Sequence, residues 1–164
     1  MKRFFVLLVA VLGLALPGST AWARGDGWQP PTPIDPFDLD ICGATLHFEV
    51  PVNREWSRVI TFHGQLVVQI TGSLVVNITN PATEQSVSNL NISGPGFLPI
   101  TEEGFEFSSR GRNLNFLSTE QAQENDLPEL LLTSGFIDIV FNDDGTLTVK
   151  KLEGNVTDLC LDLT

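Results

Sequence analysis

The chain has 164 residues, 42% of them hydrophobic, with two cysteines and a formal net charge of −11 from 9 basic and 20 acidic side chains. That balance argues against nucleic acid or an anionic membrane surface as partner, because phosphate binding needs clustered Lys and Arg. The length suffices for one domain with a proper core, and no repeat of roughly 20–50 residues points to a solenoid.

Lys2 and Arg3 precede an apolar run from Phe4 to Leu16, about 13 residues against the roughly 20 that span a bilayer. Ala21-Trp22-Ala23 then offers the small-x-small pattern of a signal-peptidase site. Residues 1–23 are therefore expected to be a cleaved export signal. The remaining 141 residues would carry 7 basic and 20 acidic side chains, a net charge of −13. No later apolar stretch approaches spanning length, so no transmembrane segment is expected in the mature protein, and secretion is the expected localisation.

Residues 24–40 contain Pro30, Pro31, Pro33 and Pro36 and read as an extended Pro-rich linker. Residues 41–164 read as the folded domain. From Thr45, Leu46, Phe48, Val50 and Val52 alternate with Thr45, His47 and Glu49, the period of a half-buried strand. Asn53-Arg54-Glu55 reads as a polar turn. Val59 to Thr71 is the longest alternating run, with Ile60, Phe62, Leu66, Val68 and Ile70 on even positions. Gly64 marks a bend or a break between two strands there. Leu74, Val76 and Ile78 continue the pattern after Gly72-Ser73.

Gln85 to Ser93 is a more polar strand with Leu90 and Ile92 inward. Pro99 makes its neighbourhood a poor central strand. Phe105 and Phe107 alternate with Glu106, Ser108 to Gly111 reads as a turn, and Leu114 and Phe116 form the next strand. Ser118-Thr119-Glu120-Gln121 resembles a capping box, and Pro128 limits any helix to a turn or two. Ser134 to Cys160 reads as a hairpin, with Ile137, Ile139 and Phe141 on one strand face, Leu147 and Val149 on the other strand, and Asn142-Asp143-Asp144-Gly145 between. Nine or ten short strands at close spacing predict an all-β domain, either an antiparallel β-sandwich or a small β-barrel.

Cys42 and Cys160 lie near opposite ends of the domain. An even pair without Cys-x-x-Cys in an exported chain reads as one structural disulfide rather than a metal or redox site. His47 and His63 sit on polar strand faces, and with Glu49 they supply the residue types of a zinc site but no ligand spacing. No Gly-x-Ser-x-Gly elbow occurs. Glu102, Glu103 and Glu106 read as loop and strand-edge solvation. Asn142, Asp143 and Asp144, or Glu120, Glu124 and Asp126, offer hard oxygens for calcium without EF-hand order. Three glycosylation sequons stand at Asn77, Asn91 and Asn155.

Asp38-Leu39-Asp40-Ile41-Cys42, Gly111-Arg112-Asn113-Leu114 and Asp158-Leu159-Cys160 follow a Pro-rich entry in an order that resembles a loose set of small exported two-cysteine proteins of actinobacteria. The resemblance implies an exported β-rich protein and carries over no site residue. The expectation is a secreted, non-enzymatic β-domain with an extracellular or envelope partner, and no catalytic, cofactor-binding or metal-ligating residue is assigned. A lipocalin-like barrel with a small apolar ligand is the alternative, and a secreted hydrolase is the third reading.

Overall fold

The computed structural model describes residues 27–99, 105–142 and 146–164. Among them lie ten strands: β1 (Phe37–Ile41), β2 (Ala44–Asn53), β3 (Trp56–Phe62), β4 (Gln65–Thr71), β5 (Leu74–Thr79), β6 (Ser86–Asn91), β7 (Gly96–Pro99), β8 (Phe105–Phe116), β9 (Leu130–Phe141) and β10 (Leu147–Asp158). Two short helices complete the set, α1 (Thr119–Asn125) and α2 (Cys160–Leu163). The strands form two antiparallel sheets, ordered β1-β2-β5-β6 and β10-β9-β8-β7-β4-β3. The pair of expected architectures resolves to the sandwich: both sheets keep open edges, and no barrel closes.

Each alternating run supplies one buried face. Leu46, Phe48, Leu74, Val76, Ile78, Leu90 and Ile92 of the four-stranded sheet meet Phe116, Leu130 and Leu132 of the six-stranded one in a first apolar cluster. Val68, Ile70, Leu98, Phe107, Ile137, Ile139 and Leu147 form a second cluster with Leu117, Ala122 and Leu131. β9 serves both, because successive side chains point to opposite faces. Leu130 and Leu132 enter the first cluster, and Leu131, Ile137 and Ile139 the second.

That double duty requires the sheet to twist sharply, and a row of glycines lets it. Gly111 pairs with Gly135, and Gly135 with Gly154, at one level of β8, β9 and β10. All three have φ between +92° and +142°, which glycine alone adopts readily. A Cβ on Gly135 would stand 2.0 Å from Glu153 O, and one on Gly154 2.1 Å from Ser134 O. The strands approach too closely there for any side chain.

Three elements depart from the sequence reading. The stretch Ser108 to Gly111 is strand rather than turn: β8 runs unbroken, with Ser109 buried and bonded to Pro95 O. Serine and glycine supply a buried hydroxyl and a twist here, not a reversal. β7 does occupy a central place, yet Pro99 pairs only with Val67 of β4, while β8 reaches no further than Gly96 and Phe97. The proline sits where the second ladder has ended, so its missing N–H costs nothing on that side. The stretch read as linker contributes β1, and Gln29 makes a bridge to Ser57 at the edge of β3.

The long run expected to turn Ile60, Phe62, Leu66, Val68 and Ile70 inward does so only in its second half. His63 and Gly64, with φ of +50° and +84°, break it into β3 and β4. The turn puts Ile60 and Phe62 opposite Val67 and Gln65 on the outer face, with Phe62 60% and Leu66 50% exposed, while Val68 and Ile70 are buried. Other expectations hold. Ser118 caps α1 with a full capping box, its side chain accepting from Gln121 N while the Gln121 side chain accepts from Ser118 N. Ser118→Ala should therefore lower stability by about 1 kcal/mol, the ordinary worth of such a cap, with Ser118→Thr retaining most of it in chemical denaturation. Residues 1–26, where the export signal is expected, lie outside the described residues, as do Glu102, Glu103 and the residues Asp143, Asp144 and Gly145 of the expected turn.

Candidate functional site

Cys42 and Cys160 are bonded, with Cα atoms 5.4 Å apart and a sequence separation of 118. The bond joins the end of β1 to the start of α2, at the rim of the first apolar cluster. Glu129 holds the same corner, accepting from Cys42 N at 2.7 Å through one oxygen and from Thr119 Oγ1 at 2.8 Å through the other. Buried Asn80 donates to Leu163 O at 2.8 Å. These contacts make the corner an anchor.

The two histidines are not brought together. His47 lies on β2 in the four-stranded sheet, and His63 in the β3–β4 turn of the other. His47 Nδ1 lies 2.6 Å from Asp38 Oδ1 on β1, and its Nε2 3.8 Å from Glu49 Oε1. Both ring nitrogens thus face carboxylates, and no group of three His, Cys, Asp or Glu among the described residues could hold a metal ion. Two sequon asparagines have structural bonds: Asn77 Oδ1 accepts from Asn89 N, and Asn91 Oδ1 from Ser93 N.

Two features were not visible in the sequence. The first is the outer face of β3, β4 and β7. Val59, Val68, Ile70 and Leu98 point inward to the second cluster, so alternation turns Trp56, Arg58, Phe62, Gln65, Gln69 and Phe97 outward. Phe62 is 60% exposed, Trp56 44% and Phe97 39%. Arg58 lies with its guanidinium 4.5 Å from the centre of the Trp28 ring and donates through Nε to Gln69 Oε1 at 2.8 Å. In a chain with 20 acidic side chains, the described positions of this face carry none.

The second feature lies where the chain crosses between sheets three times, from β2 to β3, from β4 to β5 and from β6 to β7. The crossings are tied by Arg54 N to Ser73 O at 2.7 Å and Leu74 N to Ser93 Oγ at 2.8 Å. Gly72 lies against the first of them, with φ of +140° and room for no Cβ, which would meet Arg54 O at 2.1 Å. Beneath them a crevice of about 30 Å³ separates the two apolar clusters. Its walls are Ile70, Leu74, Phe107 and Leu114, and its polar groups are Glu55, Asn113 and Asn115.

Glu55 enters this crevice from the start of β3, its N–H fixed by Asn53 Oδ1 at 3.1 Å. Burial pushes its carboxyl up to about 7 from an ordinary 4.5, because a charge leaving water without a partner favours its neutral form. Asn113, Asn115, Ser109 and Thr133 form a buried polar seam beside it. Asn115 Nδ2 approaches Thr133 Oγ1 at 3.4 Å, and Thr133 Oγ1 approaches Asn113 O at 3.3 Å. Single polar residues at even spacing in a Gly- and Ser-containing strand look like surface in one dimension; only the double burial of β8 and β9 makes them interior.

The crevice holds about two water-sized groups, far below the several hundred Å³ of a pocket for a whole small ligand. No helix among the described residues is long and apolar enough to cross a membrane. No family model, curated protein or solved structure matches the chain.

Proposed function

We propose that the chain is an exported, non-enzymatic binding domain that meets a partner protein through the outer face of β3, β4 and β7. The observation that carries this reading is the contrast between inside and outside. Two close-set apolar clusters occupy the interior, while Trp56, Phe62 and Phe97 stand exposed on one sheet face. Exposed aromatics that share one sheet face with polar groups between them mark a candidate interaction surface, and Trp, Phe and Arg are over-represented at the centres of such surfaces. Absence of carboxylates from the face matters in a chain of net charge −11. It removes local repulsion toward the acidic surfaces common among soluble proteins and leaves Arg58 as the anchoring cation.

Export is consistent with the disulfide, which persists in oxidising compartments. The hydrolase reading would need an activated nucleophile beside a base, and His47 is held between Asp38 and Glu49 instead.

A photo-cross-linking residue placed at Gln69 in the exported chain should capture one discrete protein, identified by mass spectrometry, in the medium or envelope of the producing cell. The double substitution Trp56→Ala, Phe62→Ala should abolish the adduct while changing stability by no more than about 0.5 kcal/mol per site, since exposed side chains contribute little to folding. Placement at Thr148 on β10 should give no adduct. Ester, glycoside or peptide hydrolysis that disappears in His47→Ala or His63→Ala would overturn the reading.

A further inference from the structure

Net charge conceals where the cations stand. The described residues hold six Lys and Arg side chains: Arg54, Arg58, Arg110, Arg112, Lys150 and Lys151. Four of these share one patch, Arg110 and Arg112 on β8, Lys150 and Lys151 on β10, with β9 between. Phe136 of β9 ties it together. The Arg110 guanidinium lies 5.3 Å from its ring centre and the Lys151 ammonium 5.5 Å, both within cation–π reach. Lys150 Nζ meets Glu106 Oε1 at 3.1 Å, and Glu106 shares the Arg110 face of β8 by alternation.

The patch continues the aromatic face of β3, β4 and β7. Lys151, Asp138, Ser108, Phe97, Gln69 and Arg58 are successive partners across all six strands, and residues directly opposite share a face. Its two lysines are already engaged, Lys150 with Glu106 and Lys151 with Glu153 Oε1 at 2.9 Å. Asp138 Oδ1 accepts from Ser108 Oγ at 3.0 Å. Arg110 and Arg112 are exposed, and neither makes an ion pair among the described residues. The backbone turns both outward. Ser109 Oγ and Asn113 Oδ1 meet at 2.7 Å on the buried face, although residues four apart on a straight strand are separated by about 13 Å. β8 is therefore bent at Gly111, where φ is +92°, with its hollow toward the core and the two arginines on the convex side.

We propose that Arg110 and Arg112 receive carboxylates from an acidic segment of the partner protein, at the far end of the surface from Trp56 and Phe62. This rests on the reading of the outer sheet face as a protein-binding surface. A guanidinium presents a rigid fork of donors that matches a carboxylate with two parallel hydrogen bonds, and these two forks have no carboxylate partner within the described chain. Glu106, Asp138 and Glu153 sit among the four cations, so the unbroken charge of a nucleic acid or an anionic membrane would meet them too. A segment with discrete acidic residues need not. The other acids of the chain oppose its approach only weakly, because charges are screened over about 8 Å at physiological salt. Thr148 pairs with Val140 in the row of Glu106, two same-face rows from Arg110, and stands outside this contact.

The test uses the oxidised, folded chain and acetyl-hexaglutamyl-amide at roughly 0.15 M salt. The peptide should give saturable shifts of the Arg110 and Arg112 Nε–H resonances, with a dissociation constant of about 1 mM or tighter; the same peptide with glutamine throughout should give none. Arg110→Gln with Arg112→Gln should weaken binding at least about tenfold, and lysine at both positions should restore only part of it, since the fork is lost. Lys150→Gln, which removes a cation already paired, should change affinity by less than about twofold, and Trp56→Ala should leave it unaltered. Equal losses in Arg110→Gln and Lys150→Gln would mean general attraction to positive charge and would overturn the proposal. So would tighter binding to heparin or to phosphatidylglycerol vesicles than to the peptide, or the absence of a saturable shift. A partner cross-linked at Gln69 without peptide binding would overturn this inference alone. Peptide binding without a cross-linked partner would overturn the protein-partner reading and leave Arg110 and Arg112 as a carboxylate site.

Discussion

Replacing the disulfide by Cys42→Ser with Cys160→Ser, or reducing it, should lower the unfolding midpoint by about 10 °C. The bond spans 118 positions, and a cross-link of that length restricts the unfolded ensemble by an amount worth up to about 5 kcal/mol, commonly delivered as 2–5. For a domain of this size each kcal/mol moves the midpoint by roughly 3 °C. The native side of the bond matters as well. It closes the corner where Cys42 N meets Glu129 and where Asn80 reaches Leu163 O. Those hydrogen bonds survive in the variant, so the fold itself should persist, with near-native far-UV circular dichroism at 25 °C. Calorimetry of the two forms at equal pH is the measurement. A midpoint unchanged to within a degree or two would show that neighbouring contacts already hold the chain ends.

Effects of this kind were open to inspection in the sequence, because cysteine count and alternation are one-dimensional signals. Leu46 with Phe48, and Val68 with Ile70, declare their faces through period two, and the structure buries them accordingly. The turn at Gly64 and the cap at Ser118 announce themselves by residue type. The failures share one cause. Ser108 to Gly111 carries the composition of a turn, yet in β8 the glycine answers Gly135 and Gly154 across three strands. A glycine that serves a close approach cannot be told from one that serves a reversal until its cross-strand partner is known. Leu130 to Thr133 is buried at four successive positions, so it lacks the alternation that identifies a half-exposed strand. The seam of Ser109, Asn113, Asn115 and Thr133 was illegible for the same reason. Its members are polar residues of strands whose second face is also covered, and coverage by α1 and the β7–β4–β3 limb is a tertiary fact. Glu55 belongs to this group: a polar turn in sequence, it is the only titratable side chain of the crevice.

Glu55→Gln should raise stability at about pH 8.5 by roughly 2–3 kcal/mol and leave it unchanged at about pH 4. The direction follows from where the proton is held. The folded state raises the Glu55 carboxyl to about 7 from 4.5, through burial. The folded chain thus binds the proton more tightly than the unfolded one, so the neutral form contributes stability that is fully present below about pH 4.5. As pH rises through 7 the folded protein must ionise a buried group, and the contribution is lost. A rise from 4.5 to about 7 corresponds to roughly 3 kcal/mol; because Glu55 is only partly buried by exposed area, water screens some of it. General repulsion among the 20 acidic side chains also weakens the fold as pH rises, but it acts almost equally on both proteins. Urea denaturation at a series of pH values therefore isolates Glu55 as the gap between two curves. That gap should be near zero at pH 4, should open between about pH 5 and 8, and should stay flat above. A gap that is constant over the whole range would assign the effect to amide packing instead of titration, and a wild-type chain that gains on the variant as pH rises would reverse the sign of the argument.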